Sequence, residues 1–256
     1  MRVCSSYVNS RHGRGHEVST TPLLPLRCEG LCFRAGDLAL LEDVNFTLEA
    51  GGITAVLGPN GAGKTLLLKL CHGLLIPSTG RLHWQHTPTN LRARQAMVFQ
   101  KPVLLRRSVA ANIEFALRVR GLAGEERNQR TRDMLERTGL ATLAERPARV
   151  LSGGEQQRLA LARAWAGNPE ILFLDEPAAN LDPAAARTVE ELITTIAASG
   201  SKVVIATHDL AQVRRIAQDV LFLHRGRVLA HGPVRNFFEC PPNETAAAFL
   251  RGELYW

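Results

Sequence analysis

The sequence predicts an α/β fold with a mainly parallel central sheet, an N-terminal antiparallel β-subdomain and an inserted α-helical subdomain. Three observations carry this expectation. Short, wholly apolar runs such as Ile53–Leu57, 171–174 and 203–206 alternate with amphipathic helical stretches, as in a parallel sheet covered on both faces. Residues 43–49 instead alternate strictly, with Val44, Phe46 and Leu48 apolar between Asp43, Asn45, Thr47 and Glu49, which marks a half-buried strand. From Ser108 to Gly167 the periodicity is helical.

The elements follow in order. Strand 43–49 is expected to pair antiparallel with one near residues 26–33, and Gly51-Gly52 turns the chain into the buried strand Ile53–Leu57. A glycine-rich loop and a helix carrying Leu66, Leu67, Leu68 and Leu70 come next, then strands at 81–85 and 96–99. Ser108 is a helix N-cap followed by Val109, Ile113 and Leu117 on one stripe, with Gly121 as the stop. Further helices are expected over 125–138 and 155–166. Strand 171–174 leads to Asp182-Pro183, an N-cap with proline at the first helical position. Val189, Leu192, Ile193 and Ile196 then define one helical face. Strands 203–206 and 220–223, with a helix between them, complete the pattern.

The chain has 256 residues and a formal net charge of +7, room for one large domain or two small ones. Only Lys64, Lys69, Lys101 and Lys202 among the 31 basic residues are lysines, and the arginines are scattered, as on a solvated surface; nucleic acid is not needed to explain them. Cys4, Cys28, Cys32, Cys71 and Cys240 are an odd, dispersed set without zinc-finger spacing, read as reduced thiols. Residues 1–21 are polar, without the apolar core of a signal peptide, and are expected to form a disordered extension. The apolar runs fall far below the ~20 residues that cross a bilayer, so a membrane role requires a partner.

Two segments carry chemistry directly. Gly58-Pro59-Asn60-Gly61-Ala62-Gly63-Lys64-Thr65 fits G-x-x-x-x-G-K-[ST] between an expected strand and helix. Its glycines let successive backbone N–H groups face phosphate oxygens at a helix N-terminus. Lys64 would reach the β and γ phosphates of ATP, and the Thr65 hydroxyl would ligate Mg2+. Strand 171–174 ends in Asp175 and Glu176: Asp175 is suited to hold Mg2+, and Glu176 to polarise the attacking water. Together these residues describe a P-loop NTPase.

A third segment narrows the class. Leu151-Ser152-Gly153-Gly154-Glu155-Gln156-Gln157-Arg158 places a Ser-Gly-Gly turn at a helix N-terminus, a second device for phosphate. It resembles the signature motif of the ABC ATPase family, about ninety residues after the P-loop. The resemblance covers about residues 22–240 and implies an ATPase domain over 22–256 with its helical subdomain at about 104–167. It implies that Ser152, Gly153 and Gly154 of one subunit close over ATP held by the P-loop of another, so that a homodimer buries two nucleotides. It further implies that Gln100 touches Mg2+ or the water and senses a transmembrane partner, that His208 contacts the γ-phosphate, and that Asp182 crosses the dimer interface. Asp182 is equally a helix N-cap, and both roles can hold.

Two positions depart from the family. Ala179 stands where many members have serine. Ala35, before Gly36, stands where an aromatic side chain usually stacks on adenine; Phe33, two residues away, is a candidate substitute, with core packing the equal alternative. The chain is most similar to stand-alone importer ATPases, and residues 97–109 resemble those for oxyanions, tungstate and molybdate in particular, with phosphate second. The resemblance implies a peripheral position on the cytoplasmic face of the inner (plasma) membrane, permease subunits as partners, a solute-binding protein acting indirectly, and no nucleic acid. The competing class is a soluble ABC ATPase acting on nucleic acid or ribosomes. The gap between P-loop and signature is too short for a long coiled coil, and the chain carries one cassette.

Overall fold

The computed structural model describes residues 21–88 and 90–253; the extension expected over 1–21 lies, apart from Thr21, outside the described residues. Strands β1 (Leu26–Ala35) and β2 (Leu38–Leu48) pair antiparallel, with Leu26 opposite Leu48 and Phe33 opposite Leu41. β3 (Ile53–Leu57) leads through the glycine loop into α1 (Lys64–Cys71), and β4 (Thr79–Trp84) returns to the far side of β1. These strands form a three-stranded sheet in the order β2-β1-β4. The strict alternation over 43–49 has its expected effect: Val44, Phe46 and Leu48 are buried while Asp43 and Asn45 face solvent.

β5 (Gln95–Val98) opens the stretch where helical periodicity begins. Three helices follow: α2 (Val109–Val119), α3 (Gly124–Arg137) and α4 (Gly153–Trp165). Ser108 caps α2 by accepting from the Ala111 N–H at 3.2 Å. The chain then re-enters the sheet through β6 (Ile171–Asp175), α5 (Pro183–Ala198), β7 (Lys202–Thr207), α6 (Leu210–Ile216) and β8 (Asp219–His224). Asp182 caps α5 through the N–H groups of Ala184 and Ala185, with Pro183 at the first turn.

The large sheet runs β5-β6-β7-β3-β8-β9, where β9 is Arg227–Pro233. Its first five strands are parallel and β9 is antiparallel to β8. The apolar runs are buried on both faces, and period two sends alternate residues to different cores. Leu172 and Leu174 of β6, with Val203 and Ile205 of β7, join the helices α2 to α6. Ile171, Phe173, Val204 and Ala206 face α1 and the antiparallel sheet.

The C-terminal elements are absent from the sequence-based expectation. Arg225 (φ 46°) and Gly226 (φ 75°) form a two-residue turn with both φ angles positive, a geometry that suits hairpins. It returns β9 along β8. α7 (Val234–Glu239) and α8 (Glu244–Leu250) then close over Phe222, whose ring lies 5.4 Å from Phe237 and 5.2 Å from Phe249.

Where β3 gives way to the glycine loop, the chain passes β8 at contact distance. A Cβ on Gly58 would lie 2.0 Å from the Leu223 carbonyl oxygen, a backbone atom that cannot step aside. Gly58→Ala is therefore expected to destabilise by about 2 kcal/mol or more, measured by denaturant melts. Gly232→Ala, with no atom within 4 Å of the new carbon, is expected to melt like the parent.

Candidate active site

The candidate site lies at the carboxyl ends of β3, β6 and β7, the edge of an open α/β sheet where ligands bind. Helix α1 starts after Gly63, whose φ of 103° belongs to glycine, and no side chain caps it. Its first-turn N–H groups therefore have neither intrahelical acceptors nor a side-chain acceptor, and they carry the positive end of the helix dipole. A Cβ on Gly63 would approach Leu41 Cδ2 to 2.8 Å, so the antiparallel sheet holds this turn from behind. Lys64 is 6% exposed and folds back on its own loop, donating from Nζ to the carbonyls of Gly58 (2.8 Å) and Pro59 (3.0 Å). Burial pushes its ammonium pKa down; Glu176 and Asp175 oppose that shift.

β6 delivers the two carboxylates. Asp175, 5% exposed, accepts from Thr65 Oγ1 at Oδ1 over 2.8 Å. Burial pushes its carboxyl up from the ordinary 3.8, against the opposing effect of the Thr65 hydrogen bond. A carboxylate and a hydroxyl placed together supply the hard oxygen donors that suit Mg2+, which takes few protein ligands and completes its shell with phosphate and water. Glu176 has φ 46°, a costly conformation for a non-glycine residue. Its N–H is fixed by donation to Ala206 O on β7 at 2.9 Å. Its Oε1 lies 3.1 Å from His208 Nδ1 and 3.7 Å from Lys64 Nζ.

Lys64, Thr65, Gln100, Glu176 and His208 line one open cavity of about 890 Å³, together with Asn60, Gly61 and Gly63 of the loop. Their chemistry suits a polyphosphate: backbone donors and the Lys64 ammonium stand close to the oxygens of Thr65, Gln100 and Glu176. Leu40 and Leu66 are the larger apolar side chains on this cavity, and Phe33 does not line it. Phe33 packs instead against the core between α1 and the small sheet, because its cross-strand partner Leu41 faces that core while Leu40 points the other way. Sequence reasoning missed Leu40, Asn180, Asp209 and Gln212, which also line the cavity. The polar three of these follow the ends of β6 and β7, which is the signal that could have found them.

Ser152, Gly153, Gly154 and Asp182 do not line this cavity. Ser152 caps α4 in a reciprocal arrangement: its hydroxyl accepts from Glu155 N (3.4 Å), and Glu155 Oε2 accepts from Ser152 N (2.7 Å). Gly154 is buried against Ala185 of α5, where a Cβ would meet Cβ at 2.8 Å. Ser152 and Gly153 remain exposed, so the turn presents its backbone to solvent outside the cavity.

The raised pKa of Asp175 has a stability consequence. Its folded value exceeds its unfolded value, so the native state binds more protons between the two, and stability falls as pH rises through that window. Asp175→Asn keeps an acceptor for Thr65 and removes the buried charge. It is expected to melt above the parent at neutral pH, with the gap shrinking toward pH 3.8, and to lose Mg2+-dependent ATP turnover. Thermal melts across pH and phosphate release check the two halves.

The ABC transporter family profile matches residues 41–179, more than half of the chain. A phosphate import ATP-binding protein of Natronomonas pharaonis is 36% identical over 85% of this chain and 83% of its own length. A tungstate uptake system ATP-binding protein of Peptoclostridium acidaminophilum is 38% identical over 79% and 94%, and a methionine import ATP-binding protein of Corynebacterium jeikeium 34% over 85% and 62%. The solved structure of CbiO1 from Clostridium perfringens, part of the ABC transporter complex CbiONQ, superposes with TM-score 0.78 at 31% identity, covering 87% of this chain and 92% of that one. The chain belongs to the ABC transporter family, among its ATP-hydrolysing subunits.

Proposed function

We propose that the chain is the nucleotide-binding subunit of an importer, which hydrolyses MgATP as a homodimer and drives integral-membrane permease subunits fed by a solute-binding protein. The observation that carries this is the separation of two phosphate-directed surfaces in one protomer: the P-loop cavity with Lys64, Glu176 and His208, and the exposed Ser152–Gly153 turn that does not line it. Two copies related by a twofold axis bring each turn over the other's cavity, with Asp182 at the crossing. The relatives named for phosphate, tungstate and methionine import support uptake over a soluble role on nucleic acid or ribosomes. The phosphate and tungstate names, with the resemblance at residues 97–109, favour a small oxyanion such as tungstate or molybdate as cargo.

In this reading the backbone donors of the loop from Gly58 to Gly63 and Lys64 hold the β and γ phosphates, Lys64 exchanging its own loop carbonyls for phosphate oxygens. Thr65, Asp175 and Gln100 would hold Mg2+, whose charge, when bound, offsets that developing on the phosphate oxygens. Glu176 orients a water against the γ-phosphorus and accepts its proton as the bond to the β-phosphate oxygen breaks, leaving ADP and phosphate. His208 contacts the γ-phosphate and, 3.1 Å away, holds Glu176 in place. Leu40 and Leu66 give the cavity an apolar surface for the adenine.

Gln100 follows β5, next to a groove of about 410 Å³ lined by Phe99, Val103, Phe115 and Arg163. Val103 is 77% exposed, and the groove lies between the nucleotide edge and the helical subdomain. It is the surface suited to a permease's cytoplasmic helix. No helix among the described residues is long and apolar enough to cross a membrane, so attachment at the cytoplasmic face of the inner membrane runs through that contact.

Glu176→Gln keeps the shape of the site and loses the base. It is expected to bind ATP with unchanged affinity, to lower turnover by about 10²-fold or more, and to accumulate an ATP-bound dimer in size-exclusion chromatography. A variant with parental turnover would remove Glu176 from the reaction.

A further inference from the structure

The cavity wall beside His208 is built on α6, and α6 is tied to α5 by three side chains that the hydrolysis scheme does not use. Glu190 stands in the middle of α5 and is 5% exposed. Arg215 of α6 grips its carboxylate twice, Nε to Oε2 at 2.9 Å and one terminal nitrogen to Oε1 at 2.8 Å. Gln212, one turn earlier and 2% exposed, donates from Nε2 to the same Oε1 at 3.2 Å.

Gln212 also lines the nucleotide cavity. Its backbone N–H and that of Ala211 donate to Asp209 Oδ1, at 3.0 and 2.8 Å. The Asp209 N–H donates to Thr207 Oγ1 at 3.1 Å. His208 is thus suspended between two anchors, the end of β7 and the first turn of α6. On the other side, α5 is capped by Asp182, two residues after Asn180, and Ala178 to Asn180 line the same cavity. One buried carboxylate joins the helices that start from both loops.

A buried carboxylate is an expensive way to pack two helices, since its charge must be stripped of water and then fully hydrogen-bonded. An apolar side chain would fill this helix contact without that cost. What the carboxylate adds is direction: two fixed donors from Arg215 and one from Gln212 set the height and rotation of the first turn of α6.

We propose that Glu190 is a positioning residue for His208, holding the first turn of α6 through Gln212 and Arg215 and linking the His208 loop to the loop that ends at Asp182. The proposal rests on the reading of His208 as an active-site group.

The test is ATP turnover by the full chain carrying Glu190→Leu or Glu190→Gln, each in the parent and in a His208→Ala background, with melting temperatures measured alongside. In the parent background Glu190→Leu is expected to lower kcat about tenfold or more, as misplaced catalytic groups do, with KM for MgATP within about twofold. Glu190→Gln still accepts from Gln212 and is expected to restore most of the rate. In the His208→Ala background Glu190→Leu is expected to change kcat by less than about twofold, because the group it positions is gone. Equal losses in both backgrounds, or a folded Glu190→Leu with parental kcat, would overturn the proposal.

If Glu190→Leu alone does not fold, the Glu190→Leu/Gln212→Met pair replaces both buried partners with apolar groups, and the half-exposed Arg215 can turn to water. It is read in the same way. Full turnover by His208→Ala alone would contradict the role of His208, and that outcome is visible without any Glu190 variant.

Discussion

Lys64 Nζ lies 3.7 Å from Glu176 Oε1 with both side chains largely withdrawn from water, and Asp175 is buried one residue away. Holding an ammonium and two carboxylates at this edge constrains much of the surrounding structure. None of the three is cheap to bury, and removing Lys64 would leave two neighbouring carboxylates without their shared cation. The opposed shifts express the same balance: burial works against the charged form of Lys64 and of Asp175 alike. The carbonyls of Gly58 and Pro59 and the Thr65 hydroxyl satisfy Lys64 and Asp175 within the fold.

The sheet order explains how these groups meet. β7 lies between β6 and β3, so Glu176, His208 and the P-loop leave three adjacent strands at the same end. Glu176 is held there at a positive φ by a hydrogen bond to Ala206 of the neighbouring strand. Strain of this kind typically costs about 1–3 kcal/mol and persists because the β6–β7 pairing fixes both ends. The loop cannot drift either, since Gly58 is pressed on Leu223 and Gly63 on Leu41.

Much of this was legible in the sequence, because the local rules and the global fold agree. Strict alternation placed β2, unbroken apolar runs placed β3, β6 and β7, and the cap at Asp182 started α5 at the right residue. The hairpin to β9 was not legible: Arg227–Pro233 has no clean alternation, and the turn is signalled only by Arg225-Gly226. Phe33 and Leu40 show a second limit. Adjacent residues on a strand face opposite sides, so assigning a ring to the nucleotide or to the core depends on a register that bulges between Leu31 and Arg34 shift. Glu190 was invisible for a different reason. Its partners come from a separate helix, and nothing in the order of residues reports that Arg215 and Gln212 converge on it.

The proposed composite site turns on the Ser152 turn, which is exposed, braced through Gly154 on α5 and apart from the P-loop cavity. The direct measurement is ATP turnover per protomer against protein concentration, for the parent and for Ser152→Asp. Aspartate caps a helix as well as serine but sets a carboxylate where the other copy's phosphate would lie. A composite site predicts a parental rate per protomer that climbs with concentration, and a folded Ser152→Asp that binds ATP and turns over none. A rate independent of concentration, matched by Ser152→Asp, would contradict it.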